Sequence, residues 1–140
     1  MSLRDTLDNP IICDMTLPWS ADHMVDKDIT LPRFRKAGID FVSLTVSIRE
    51  NALSATVRHI ARVKAHIAER AEEMSFVTTA DQIIAAKQAG KLAVGLHFQG
   101  TDPFEGSVEL VEVFAGLGIR HALIAYNQKN LAGDGCVERN

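Results

Sequence analysis

The stretch Leu92 to Asn130, LAVGLHFQGTDPFEGSVELVEVFAGLGIRHALIAYNQKN, limits the possible folds most tightly. An apolar run from Leu92 to Phe98 ends in Gln99-Gly100. An amphipathic helix follows from about Pro103 to Leu117, and a second apolar run, Ile119 to Ala125, ends in Tyr126-Asn127. Strand, helix and strand in that order make a parallel β-α-β unit, since a helical crossover is what returns the chain to the same end of the sheet. Ligands of parallel α/β folds bind beyond the carboxyl ends of the strands, so Gln99, Tyr126 and Asn127 stand where chemistry is expected.

The remainder repeats this alternation. Ile11 to Leu17 reads as a first strand closed by Pro18, followed by a polar loop from Ser20 to Thr30. Pro32 to Ala37, ended by Gly38, reads as a short helix before a second strand from Ile39 to Ile48. Asn51 can cap a long helix whose core stripe is Leu53, Val57, Ile60, Val63 and Ile67, with Arg58, Arg62, Glu69 and Arg70 outward. Thr79 and Gln82 form a capping box for a helix that Gly90 ends. Strands and helices thus alternate four times without a linker or a break in composition. The expectation is one α/β domain over residues 1–140, with 46% hydrophobic residues to build its core.

Strand alternation assigns faces in the third strand. Leu92, Val94, Leu96 and Phe98 point toward the helix layer, and Ala93, Gly95, His97 and Gln99 point the other way.

The strings GLHFQG, VFAGLGIRHALIAYNQKN and GDGCVER, together with IICDMTLPW, resemble the first half of a renal-type (membrane) dipeptidase. That family comprises zinc metallopeptidases of the amidohydrolase-like (β/α)8 type with a dinuclear metal site. The resemblance implies about half of a TIM barrel and places the second set of side chains toward the barrel axis.

It also implies roles for particular residues, and this sequence departs at each. The metal-bridging glutamate of the family falls on Gln99, a neutral amide that bridges two cations poorly. The His-x-Asp pair that ends the first strand falls on Asp14 and Thr16 or on Met15 and Leu17, depending on a one-residue register. Asp14 is then a lone carboxylate ligand or a strand-end acid bonded to loop amides. The histidine that stabilises the tetrahedral intermediate falls on Tyr126, whose hydroxyl can donate to an oxyanion. Asn127 joins it as a candidate catalytic contact. Asn130 is either a substrate contact or a loop cap through an Asx turn. His97 is either a satisfied core imidazole or a substrate contact. Zinc is the implied cofactor, and these substitutions imply that it binds weakly or not at all.

Other residues read as structural. His59 and His66 share a helix at a spacing too wide to chelate one ion, and solvated side chains are expected. His23 reads as a surface loop residue, and His121 lies at the start of its strand, the wrong end for catalysis. Asp102-Pro103 reads as a helix start. Cys13 and Cys136 read as reduced thiols without disulfide or zinc spacing.

A net charge of −3 with interspersed signs supplies no basic stripe, so nucleic acid is excluded as a partner. No apolar run is long enough to span a bilayer, and the N-terminus lacks the pattern of a signal peptide, so a cytoplasmic location without membrane contact is expected. Three functional readings stand side by side. The chain is part of a divergent dipeptidase-like metallohydrolase, inactive by itself; or a pseudoenzyme that binds a small peptide-like ligand; or a structural half-barrel that forms a homo-oligomer. Oligomerisation is expected because a half-barrel would expose the inward face carrying Ala93, Gly95 and His97.

Overall fold

The computed structural model describes residues 9–18, 27–47 and 53–138. Five parallel strands form one sheet: β1 (Cys13–Leu17), β2 (Phe41–Ser47), β3 (Met74–Phe76), β4 (Leu92–Phe98) and β5 (Ile119–Ala122). Among the described residues, four α-helices lie between them: α1 (Lys27–Lys36), α2 (Leu53–Glu69), α3 (Ala80–Gln88) and α4 (Glu109–Leu117). The parallel α/β class expected from the sequence is therefore the one observed.

Strand β3 is a correction to the four-strand expectation. Three residues, Met74 to Phe76, are too few to show an alternating pattern, so periodicity passes over them. Helix α1 begins at Lys27, inside the stretch expected as loop, and continues through Pro32. The expected cap Asn51, His23 and the outer part of the loop from Ser20 fall outside the described residues.

The spatial order is β1-β2-β4, with β3 and β5 sharing the far edge of β4. Strand β3 pairs along Leu92 to Val94, and β5 along Leu96 to Phe98. Handedness then decides where the helices go. The steps β1→β2, β2→β3 and β4→β5 move one way across the sheet, while β3→β4 moves back. Right-handed crossovers therefore place α1, α2 and α4 on one face and α3 on the other.

The packing follows this rule. Leu31 of α1, Ile60, Val63 and Ile67 of α2, and Phe114 of α4 cover Val42, Leu44, Val46, Val94, Leu96 and Phe98. Ala86 and Ile83 of α3 cover Phe41 and Ala93 on the opposite face. Phe98, Phe104 and Phe114 meet edge to face in the larger core.

This arrangement corrects the expectation of an exposed inward face. Ala93 and His97 are both fully buried inside the single chain: the return step through α3 lays a helix over Ala93, and Ser43, Thr45 and the His121 ring enclose His97. Gly95 permits the fit, since a Cβ there would meet the Phe41 ring at 2.8 Å.

Two further corrections concern α2. His59 and His66 are buried, at 8% and 6% exposure, rather than solvated. They fall beside Ile60 and Ile67 on the core stripe, and His59 Nδ1 donates to the Val46 carbonyl at 3.1 Å. Val57 lies at the edge of that stripe and is 38% exposed.

Candidate functional site

The site is built upward from the polar side chains of the α3-covered face. Above Phe41 and Ala93, β2 contributes Ser43 and Thr45 and β4 contributes His97, in register with each other. Ser43 Oγ lies 3.1 Å from His97 Nδ1, and Thr45 Oγ1 lies 3.0 Å from Nε2. Both ring nitrogens are thus engaged by hydroxyls, which can donate or accept as the imidazole tautomer requires. His121 of β5 stacks on the same ring, with centroids 4.7 Å apart and planes 6° from parallel. Its Nε2 donates to the Met15 carbonyl of β1 at 3.0 Å.

Burial is the main reason that the His97 pKa falls to about 4, and the neighbouring His121 lowers it further. The backbone of Ser43 and the carboxylate of Asp14 oppose that shift. His97 is therefore neutral at physiological pH. The residue expected as a substrate contact is enclosed and hydrogen-bonded on both edges.

Strand β1 carries both pairs that the sequence offered, Asp14 with Thr16 and Met15 with Leu17. Leu17 pairs with Leu44 and Asp14 with Val42, both residues of the helix-side core, so the strand does not keep a simple alternation between them. Pairing with β2 slips between Asp14 and Leu17, a bulge that re-aims the strand end. Asp14 is half-buried, and its Oδ1 accepts from the Thr16 amide at 3.1 Å. The amide it accepts from lies within β1 itself, where a loop amide was expected.

Gln99 is half-buried just past β4, with its backbone N–H donating to the Ser47 carbonyl at 3.1 Å. Tyr126 and Asn127 follow β5 and are exposed. Their carbonyls accept from Cys136 N and Val137 N, and Asn127 Oδ1 accepts from Cys136 Sγ at 3.3 Å. Gly135 is required there, because a Cβ would collide with the backbone of Asn127 and Gln128. Asn130 spends its carboxamide on structure. Its Nδ2 donates to the Ile124 carbonyl and to Asp102, while Oδ1 accepts from the amides of Ala132 and Gly133. The expectation of an Asx-type loop cap describes these bonds.

The expected site residues thus gather by their positions on the strands rather than by mutual bonds. Gln99 follows the carboxyl end of β4, and Tyr126 and Asn127 follow that of β5, whereas Asp14 is the second residue of β1; His97 precedes Gln99 by two residues on β4, and Asn130 braces the adjoining loops. A cleft of about 730 Å³ opens beside that brace, lined by Asp102, Phe104, Val108, Val111, Lys129 and Leu131. Sequence reasoning missed Ser43, Thr45 and His121. The available signal was register: pairing the two apolar runs of the β-α-β unit brings His97 opposite His121.

Both cysteines are free, and partial burial followed by the charge of Asp40 pushes the Cys13 thiol above its ordinary pKa. Among the described residues, no three His, Cys, Asp or Glu side chains come close enough to hold one metal ion. None of the described helices is long and apolar enough to cross a membrane.

Comparison with known proteins places this geometry. The family model described as membrane dipeptidase, peptidase family M19, matches residues 6–140. An amidohydrolase from Pseudomonas aeruginosa matches with a TM-score of 0.76 and 31% identity, over 92% of this chain and 38% of its own. The probable dipeptidase PvdM from Pseudomonas aeruginosa gives 0.76 at 12% identity, covering 89% of this chain and 36% of that one. The dipeptidase AC, a metallopeptidase of family M19, gives 0.67 at 11% identity, covering 84% and 43%. At such identities the last two establish the fold alone. The chain spans 36% to 43% of the length of these solved structures. No curated protein sequence gave a significant match.

Proposed function

From the premise that this chain belongs to the membrane dipeptidase family, peptidase family M19, we propose that it is a divergent dipeptidase-like half-barrel that does not hydrolyse dipeptides by itself. The family is one of metallopeptidases, and zinc is the metal its resemblance implies. The donor set in hand does not fit a dinuclear centre. Asp14 is a single carboxylate already bonded to Thr16 N. Gln99 is neutral, and both His97 nitrogens are engaged. The lack of any three-ligand cluster among the described residues is the observation that carries this reading.

Activity of the family type in a longer polypeptide would need donors beyond those described here. The protein's own residues offer other chemistry. The Tyr126 hydroxyl can donate to a developing oxyanion, and the Gln99 amide can both donate and accept. These groups suit recognition of an amide-containing ligand more than cleavage of one.

The test is hydrolysis of a dipeptide panel with added zinc, run beside metal quantification on freshly purified protein. No turnover above a heat-treated control and less than one bound metal per chain are expected. Chelator-sensitive turnover well above that control would overturn the reading.

A second reading treats the chain as a pseudoenzyme that takes a small peptide-like ligand at the strand ends. It is favoured by the exposed Tyr126 and the half-buried Gln99, which follow the paired strands β5 and β4. A homo-oligomer formed through the β1 and β5 sides remains part of the proposal. The burial of Ala93 and His97 removes the exposed inward face as its driving force.

A further inference from the structure

One continuous line of polar and stacking contacts joins all four principal strands across the covered face. It runs from Ser43 and Thr45 on β2 to His97 on β4, then to His121 on β5, and ends at the Met15 carbonyl on β1. Strands β1 and β5 are not neighbours in the sheet. The contact between His121 and Met15 is therefore a strut across the curvature of the sheet, separate from its ladder. It also lands at a sensitive place, because Met15 lies within the β1 bulge and between Asp14 and Thr16.

We propose that His121 is a positioning residue that fixes the β1 bulge, between Asp14 and Leu17, relative to the rim formed by Gln99 and Tyr126. This rests on the reading of the strand ends as a ligand site. A carbonyl oxygen can only accept, so His121 carries its proton on Nε2. Its other face holds the His97 ring, two residues before Gln99. The imidazole thus supplies two things that no aliphatic side chain supplies together: a flat stacking surface and a directed donor at its tip. Losing the donor frees the bulge while leaving the stack. Losing the stack while keeping a donor does the reverse.

Two variants separate those contributions. His121→Phe retains an aromatic ring and removes the donor, and His121→Gln removes the ring and can still donate to Met15. Long-range nitrogen-15 correlation spectra of the unmodified chain are expected to show the Nε2-protonated tautomer. In His121→Phe, amide exchange at Met15 to Leu17 is expected to quicken roughly tenfold. The amides of Thr16 and Gln99 should shift, while those of α2 and α4 should not. His121→Gln is expected to restore protection at Met15 to Leu17. An Nδ1-protonated ring, or unchanged exchange at Met15 to Leu17 in His121→Phe, overturns the proposal.

Leucylglycine serves as the ligand probe in the same samples. Weaker binding in His121→Phe, recovered in His121→Gln, supports both positioning and the ligand site. If leucylglycine shifts no rim signal in the unmodified chain, the ligand reading fails. The exchange data still decide the role of His121.

Discussion

Lys87 Nζ lies 3.2 Å from the carboxylate of Asp40, a side chain with no solvent exposure. The same ammonium donates to the carbonyls of Asn9 and Pro10, and Asp40 Oδ2 also accepts from the Ile12 amide at 2.9 Å. One ion pair thus anchors the segment leading into β1 against α3. Arg35 adds a looser contact at 3.9 Å.

Removing one partner strands a buried charge. Lys87→Met is expected to destabilise the chain by about 3 kcal/mol, within the range for broken buried pairs. Lys87→Met combined with Asp40→Asn should cost less than the sum of the single changes, because the stranded charge is then gone. Urea unfolding of the three variants checks this, and strict additivity would contradict it.

Gly135 is buried against the Asn127–Gln128 backbone with no room for a side chain. Gly135→Ala must therefore push apart the pairing of Tyr126 with Cys136 and of Asn127 with Val137. A loss of roughly 1–3 kcal/mol is expected, as for overpacking elsewhere. Amide shifts confined to residues after β5 would accompany it. Gly116, where a Cβ meets nothing, is the control position, and Ala there should be neutral or slightly stabilising.

Stability should depend on pH through His97. Its folded pKa, about 4, lies below the ordinary 6.5, so between these values the unfolded chain binds a proton that the native chain refuses. This contribution is fully present above pH 6.5 and is lost progressively as pH falls through 4, reaching about 3 kcal/mol at most. Denaturant midpoints measured from pH 7.5 to 4, compared with those of His97→Gln, isolate it. Equal slopes for the two proteins would show that His97 is not the group responsible.

Periodicity carried the sequence reading as far as periodicity reaches. The alternation of Leu92 to Phe98 assigned both faces of β4 correctly, because its two sides differ sharply in side-chain type. The stripe of α2 was legible in Ile60, Val63 and Ile67. His59 and His66 were misjudged by residue type, although their positions already placed them on the core face. Strand β3 was too short to leave a pattern, and with it went the return crossover that buries Ala93. At the strand ends, the resemblance supplied positions for Asp14, Gln99 and Tyr126, while the chain itself supplied different chemistry there. The stack of His97 on His121 depends on inter-strand register, which no single strand reveals.

Gln99→Glu is the most direct test of whether charge at that position suffices for activity. The change restores a carboxylate at the expected bridging position and leaves the backbone bond to Ser47 untouched. Metal-assisted hydrolysis needs several donors fixed around the ion before its bound water becomes a nucleophile. The other candidate donors are already engaged: Asp14 accepts from Thr16 N, and His97 is held by Ser43 and Thr45. No dipeptide hydrolysis above background is therefore expected from Gln99→Glu with zinc present. The extra carboxylate should produce at most weak binding, seen as a small zinc-dependent rise in Tm. A gain of chelator-sensitive turnover from this single change would mean that Asp14 and residues outside the described segments already complete the donor set, and that the missing charge at Gln99 alone had kept the chain inactive.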